Sequence, residues 1–129
     1  MTQNKEMIEF YGVKYIMLSG FEFLDKSINE YPSFCGAGDG IGDKIVPERI
    51  GGMRCSHICH GHDDWWERCS PTWKAFAASN ASFLYNLLIY LVGGPGGVWI
   101  RIKRVSIGCF YAAAVATVGW KIFKRIKGI

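Results

Sequence analysis

Twelve consecutive positions, CSHICHGHDDWW at 55–66, hold two cysteines, three histidines, two aspartates and two tryptophans. Cys55, His57, Cys59, His60, His62 and Cys69 are of the types that bind zinc, and Cys59 with His62 forms a local pair of the right spacing. No Cys-x-x-Cys pair accompanies them, and ligands crowded onto one helix point around its whole circumference, which argues against a closed cage. A second reading is plain packing: a histidine among tryptophans can be a satisfied core residue, and composition alone leaves that open.

The elements that must position these residues are legible in outline. The chain has 129 residues, half of them hydrophobic, which is enough for one domain with a single core. Residues 1–31 read as loosely ordered, with one short amphipathic candidate at 6–16. Residues 32–54, with Pro32, Pro47 and six glycines, read as loop. A helix is expected from Ser56 or His57 to about Arg68, with Ser56 as N-cap and Ile58, His62, Trp65, Trp66 and Cys69 near one side. Pro71 ends it, and a second helix runs from about Thr72 to Val92. GGPGG stops that one, and a third extends from Val98 or Arg101 to about Arg125. The expected class is all-α.

Charge is one-sided. Every acidic residue lies at or before Glu67, while 101–129 carries Arg101, Lys103, Arg104, Lys121, Lys124, Arg125 and Lys127. Such an end suits lipid head groups, nucleic acid or an acidic protein, or serves as a solvated face. The N-terminus does not read as a secretory signal. Two uncharged runs raise the question of membranes. The run at 81–100 is cut by GGPGG to about twelve residues, and 105–120 offers about sixteen, both short of the roughly 20 needed to span. Buried helices are therefore expected. Five cysteines leave at least one outside any internal disulfide.

Two motifs then combine. Cys35-Gly36-Ala37-Gly38-Asp39-Gly40 and Cys59-His60-Gly61-His62-Asp63 resemble the loop and helix of the phospholipase A2 superfamily, in particular its phage and prophage-type members. Similarity continues through GDGIGDKIVPERIGG and the run from Phe83 to Leu87, covering roughly 33–120. The resemblance implies a single phospholipase A2-like domain over 1–129: an antiparallel helix pair near 57–69 and 73–92, a glycine-rich calcium loop and a third C-terminal helix. It implies His62 as general base toward water and Asp63 as a calcium ligand, with the carbonyls of Phe34, Gly36 and Gly38. It also implies a Cys35–Cys59 disulfide. Glycines that turn carbonyls inward suit a hard, oxygen-seeking cation, which would polarise an ester carbonyl.

Departures from the pattern are specific. Asn80 stands where the family carries an aspartate behind the histidine, and no acid follows Glu67 to replace it. Trp66 replaces a tyrosine, while Tyr111 is a loose match to tyrosines of the third helix. Asp39 and Asp43 fit turn chemistry as well as a cation's surroundings. The expected activity is calcium-dependent hydrolysis of a phospholipid ester at a membrane surface, with Arg101, Lys103, Arg104, Lys124 and Arg125 meeting anionic lipid. The alternative is a catalytically degenerate relative that binds membrane or protein. No nucleic acid is expected as partner, since no reading motif is present. The implied setting is bacterial or viral: cytoplasm or phage, peripheral on membrane.

Overall fold

The computed structural model describes residues 4–35 and 47–129. Three helices form its bulk: α1 (Ser56–Arg68), α2 (Trp73–Val92) and α3 (Val98–Lys127). Contacts between them run in opposite chain order. His62 meets Phe83 while Trp66 meets Phe76, and Phe76 meets Phe123 while Leu91 faces Gly108, so α1/α2 and α2/α3 are antiparallel.

The all-α expectation is overturned by two small antiparallel sheets. Strand β1 (Lys5–Phe10) pairs with β2 (Val13–Leu18), and β3 (Arg49–Ile50) pairs with β4 (Met53–Arg54). The fold is mixed α/β. Both hairpins use two-residue turns whose central residues have positive φ, Tyr11-Gly12 (49° and 81°) and Gly51-Gly52 (56° and 82°). Such turns match the natural twist of paired strands, so Gly51 and Gly52, which read as loop, in fact fold β3 back on β4. The segment at 6–16 is accordingly no amphipathic helix. Its burial follows a two-residue period, with Tyr15 and Met17 inward.

The first hairpin docks on both leading helices. A Cβ at Gly61 would stand 2.2 Å from Met17 Sδ, so any larger residue there would push the Met17 side chain out of its place in the core. Asn86 of α2 accepts from Ile16 N (2.8 Å) and donates to Ile16 O (2.9 Å), satisfying the open edge of β2. Tyr15, Met17, Leu18, Ile58, Phe76, Leu87, Leu91 and Phe123 join one core.

Helix starts differ in their chemistry. Thr72 caps α2, accepting from Ala75 N at 3.1 Å. The N-cap of α1 is Cys55, not Ser56, and it makes no side-chain cap bond. Ser56 lies in the first turn and donates to the Glu48 carboxylate, which also accepts from Cys35 N (3.0 Å).

Cys35 and Cys59 are bonded, with Cα atoms 5.2 Å apart. The bond closes a segment of sequence separation 24, and loop-closure entropy of that size corresponds to about 3 kcal/mol. Cys35→Ser should therefore lower unfolding free energy by about that amount in urea titrations, matching wild type under reductant. Equal stability with and without the bond would show that the segment 35–59 is already ordered in the unfolded chain.

Helix length also corrects a sequence expectation. α2 has 20 residues and α3 has 30, so both are long and apolar enough to cross a membrane by length and composition. Half of the most apolar window of α2 is buried, against 22% for α3. α2 is thus a core helix, and α3 leaves most of its apolar surface open.

Candidate functional site

The three histidines of α1 have three different surroundings. His57 is fully buried, its Nε2 paired with Tyr15 OH at 2.9 Å, and burial pushes it down to about 3. His60 pairs through Nδ1 with Tyr31 OH (2.5 Å), stacks on Phe34 at 4.1 Å, and is also held down by burial. These two are packing residues. His62 sits between Trp66 and Phe83, each ring 4.6 Å away, and meets Asn80 Oδ1 through Nε2 at 2.9 Å.

That bond determines the proton's place. An amide oxygen can only accept, so Nε2 carries the hydrogen and Nδ1 the lone pair. Nδ1 of His62 has no hydrogen-bond partner among the described residues. Burial in the aromatic slot holds His62 down to about 4, with the Asn80 bond opposing that shift. The imidazole is therefore neutral near pH 7 and able to accept a proton, though as a weak base.

Two of the three lowered histidines, His57 and His62, make stability strongly pH-dependent. Their ordinary value is 6.5, and the folded values are lower, about 4 for His62 and about 3 for His57. Below 6.5 the unfolded chain binds protons that the native state refuses. Stability is complete above that value and declines as pH falls through it toward 4, by on the order of 3 kcal/mol for each histidine. Thermal melts from pH 7.5 to 4 should show the decline, with a shallower slope in His62→Gln. A flat profile would mean that neither ring is buried as described.

Trp66 donates from Nε1 to Ser79 Oγ (2.9 Å) and forms one wall of the histidine slot. Space for it comes from Gly119 of α3, where a Cβ would stand 2.9 Å from the indole. Tyr111 is half-buried and meets Phe110 edge-on.

Asp63, the next residue along, is exposed. The disulfide fixes Cys35 to Cys59, so the segment bearing Phe34 lies against the turn of α1 that precedes Asp63. Gly36, Gly38, Asp39 and Asp43 lie outside the described residues. Among the described residues no three His, Cys, Asp or Glu side chains converge on a metal. The zinc reading loses Cys59 to the disulfide and His57 to the core.

The basic residues do not form one patch. Arg101 and Lys103 lie near the start of α3 and Lys124 and Arg125 near its end, all exposed, separated by about 35 Å of helix. Arg104 does not belong to the surface: it is 3% exposed, because its stem runs against Gly51 and its fork lies beneath the turn at 93–97. Lys127 donates to Glu67 O (2.9 Å) and Cys69 O (2.6 Å), neutralising the C-terminal end of α1.

Sequence reasoning missed a cavity of about 350 Å³ between α2 and α3, lined by Trp73, Phe76, Asn80, Leu84, Cys109 and Ala112 among others. Its size is at the lower end for ligand pockets. Asn80 thus meets His62 with its oxygen and borders an apolar space with the rest of its side chain, while its Nδ2 is sealed without a partner. The spacing Trp73, Ala77, Asn80, Ala81, Leu84 is a helical stripe, which the sequence displays but does not mark as open.

No protein-family model, curated protein or solved structure matches the chain.

Proposed function

We propose that the protein hydrolyses the acyl ester of a phospholipid at a membrane surface, with calcium as cofactor and His62 as the base. The observation that carries this reading is the His62–Asn80 bond across the helix pair, which fixes the tautomer and leaves Nδ1 as the free acceptor. In the reaction Nδ1 takes a proton from water, the resulting hydroxide attacks the ester carbonyl, and the carbon–oxygen bond to the glycerol breaks. The proton passes from Nδ1 to the departing oxygen, giving a fatty acid and a lysophospholipid. Bound by Asp63 and the carbonyls of Phe34, Gly36 and Gly38, calcium would polarise that carbonyl and offset the charge that develops on its oxygen.

Support for a membrane surface comes from α3. Val98, Trp99, Ile100 and Phe110 are exposed beside Arg101 and Lys103, an arrangement suited to an anionic interface. The second reading, a fold kept for binding alone, is favoured by Asn80 itself, whose neutral amide cannot offset an imidazolium charge as a carboxylate does.

The test is fatty acid release from mixed anionic vesicles with calcium and with chelator. Calcium-dependent release supports the enzyme. Silence with calcium still bound moves the protein to the second reading, and silence without calcium binding removes both.

A further inference from the structure

Arg104 is an anomaly of the core. Its side chain is buried, Nη1 donates to Pro95 O at 2.7 Å, and Nε and Nη2 are sealed with no hydrogen-bond partner. Among the described residues no carboxylate pairs with it. A guanidinium keeps its charge inside a protein and cannot relieve such a position by losing a proton. Leaving a buried charge without a partner is among the largest penalties a fold can carry.

The two free nitrogens are not scattered. Nε and Nη2 form one edge of the fork, and their N–H bonds run parallel, the geometry that grips two oxygens of a phosphate. Arg104 belongs to the second turn of α3 but reaches back along the helix, and its fork lies at the Gly94-Pro95 turn beside the helix N-terminus. That terminus has Gly97 as N-cap, no side-chain cap bond and no acid in its first turn. The free amides and the positive end of this 30-residue helix thus follow directly after the turn against which the guanidinium lies.

Part of the cover over this edge is one flexible side chain. A Cβ at Gly94 would stand 3.0 Å from Arg104 Nη2 and 2.2 Å from Met53 Sδ, so the thioether is the fork's neighbour there. Met53 is half-buried, unbranched and readily repacked. Around the turn stand Val98, Trp99 and Ile100, which are 69%, 82% and 51% exposed, and the exposed Arg101 and Lys103.

We infer that the junction of the 93–97 turn, the α3 N-terminus and Arg104 is a phosphate-binding site, filled by the phosphate of a lipid head group as Trp99 and its neighbours enter the bilayer. The lipid as source rests on the membrane-surface reading; the phosphate chemistry does not.

Binding is measured on the whole chain in chelator, so turnover plays no part. Phosphatidylcholine vesicles carrying phosphatidic acid are compared with vesicles carrying oleate at equal negative charge. Wild type should prefer phosphatidic acid, and Arg104→Lys, which keeps the charge but loses the parallel edge, should bind it about tenfold more weakly. Replacing Arg101 and Lys103 by Gln should weaken both vesicle types alike. Equal binding of phosphatidic acid by wild type and Arg104→Lys would overturn the site and leave diffuse attraction, even if hydrolysis proves active. Should Arg104→Lys fail to fold, the wild-type melting temperature decides: a rise with inorganic phosphate or phosphatidic acid vesicles, beyond that with chloride at equal ionic strength, supports the site, and no rise with either refutes it. Displacement from vesicles by inorganic phosphate shows that free phosphate competes for the fork. Stabilisation by inorganic phosphate without preference for phosphatidic acid vesicles assigns the site to the free ion.

Discussion

Asn80→Asp is expected to release fatty acid from anionic vesicles about a hundredfold faster than wild type, an effect set below the roughly four orders of magnitude that the reverse change costs in serine proteases. Oδ1 accepts from His62 at 2.9 Å, and Nδ2 donates to nothing. Putting an oxygen in place of Nδ2 breaks no bond, while the added charge stabilises the imidazolium that forms when Nδ1 takes its proton. The same charge lifts His62 from about 4 toward its ordinary 6.5. Since the base must be neutral to act, the acid limb of the pH–rate profile should move upward in Asn80→Asp, whereas wild type holds its rate down to about 4. Slower hydrolysis, or a faster rate with an unmoved acid limb, would show that Asn80 does not act through His62.

His62→Gln should lower calcium-dependent release by about three orders of magnitude, within the range that a positioned general base supplies. Glutamine fills much of the slot between Trp66 and Phe83 but offers no nitrogen lone pair for water's proton. Vesicle binding should be unchanged, because the exposed apolar and basic residues of α3 are intact. That contrast separates lost chemistry from lost docking. Retention of more than a tenth of the wild-type rate would place the base elsewhere and end the proposal for His62.

The helices were legible because several local signals agree. Thr72, Pro71 and the GGPGG stop mark ends, and apolar spacing fills the intervals. Ranges came within two residues at most ends. The hairpins were not legible because Gly51-Gly52 sit in a glycine-rich stretch that reads as loop, Tyr11-Gly12 sit inside the amphipathic candidate at 6–16, and β3 and β4 have two residues each. The His62–Asn80 contact and the Cys35–Cys59 bond were anticipated from a family resemblance, not from spacing. Tyr15 with His57 spans 42 positions and carried no sequence signal. Arg104 did carry one. The buried face of α3 runs Arg104, Gly108, Ala112, Val115, Gly119, Phe123, steps of three and four that place the arginine on the inward stripe. Its neighbours along the chain include charges, whereas its next neighbours on that stripe are small residues.

The hairpin of β1 and β2 has a consequence for how this chain can be divided. A fragment cut to the region of family resemblance, 33–120, would discard Tyr15, Met17 and Leu18 at one end and Phe123 at the other, four side chains each no more than 2% exposed. Gly61 would then face a void where Met17 had been, Asn86 would lose both of its backbone partners, and Trp66 would lose the Phe123 ring. The stretch that carries the recognisable motifs is therefore smaller than the unit that folds. Expression boundaries, domain swaps and fusion points belong outside Lys5 and Lys127.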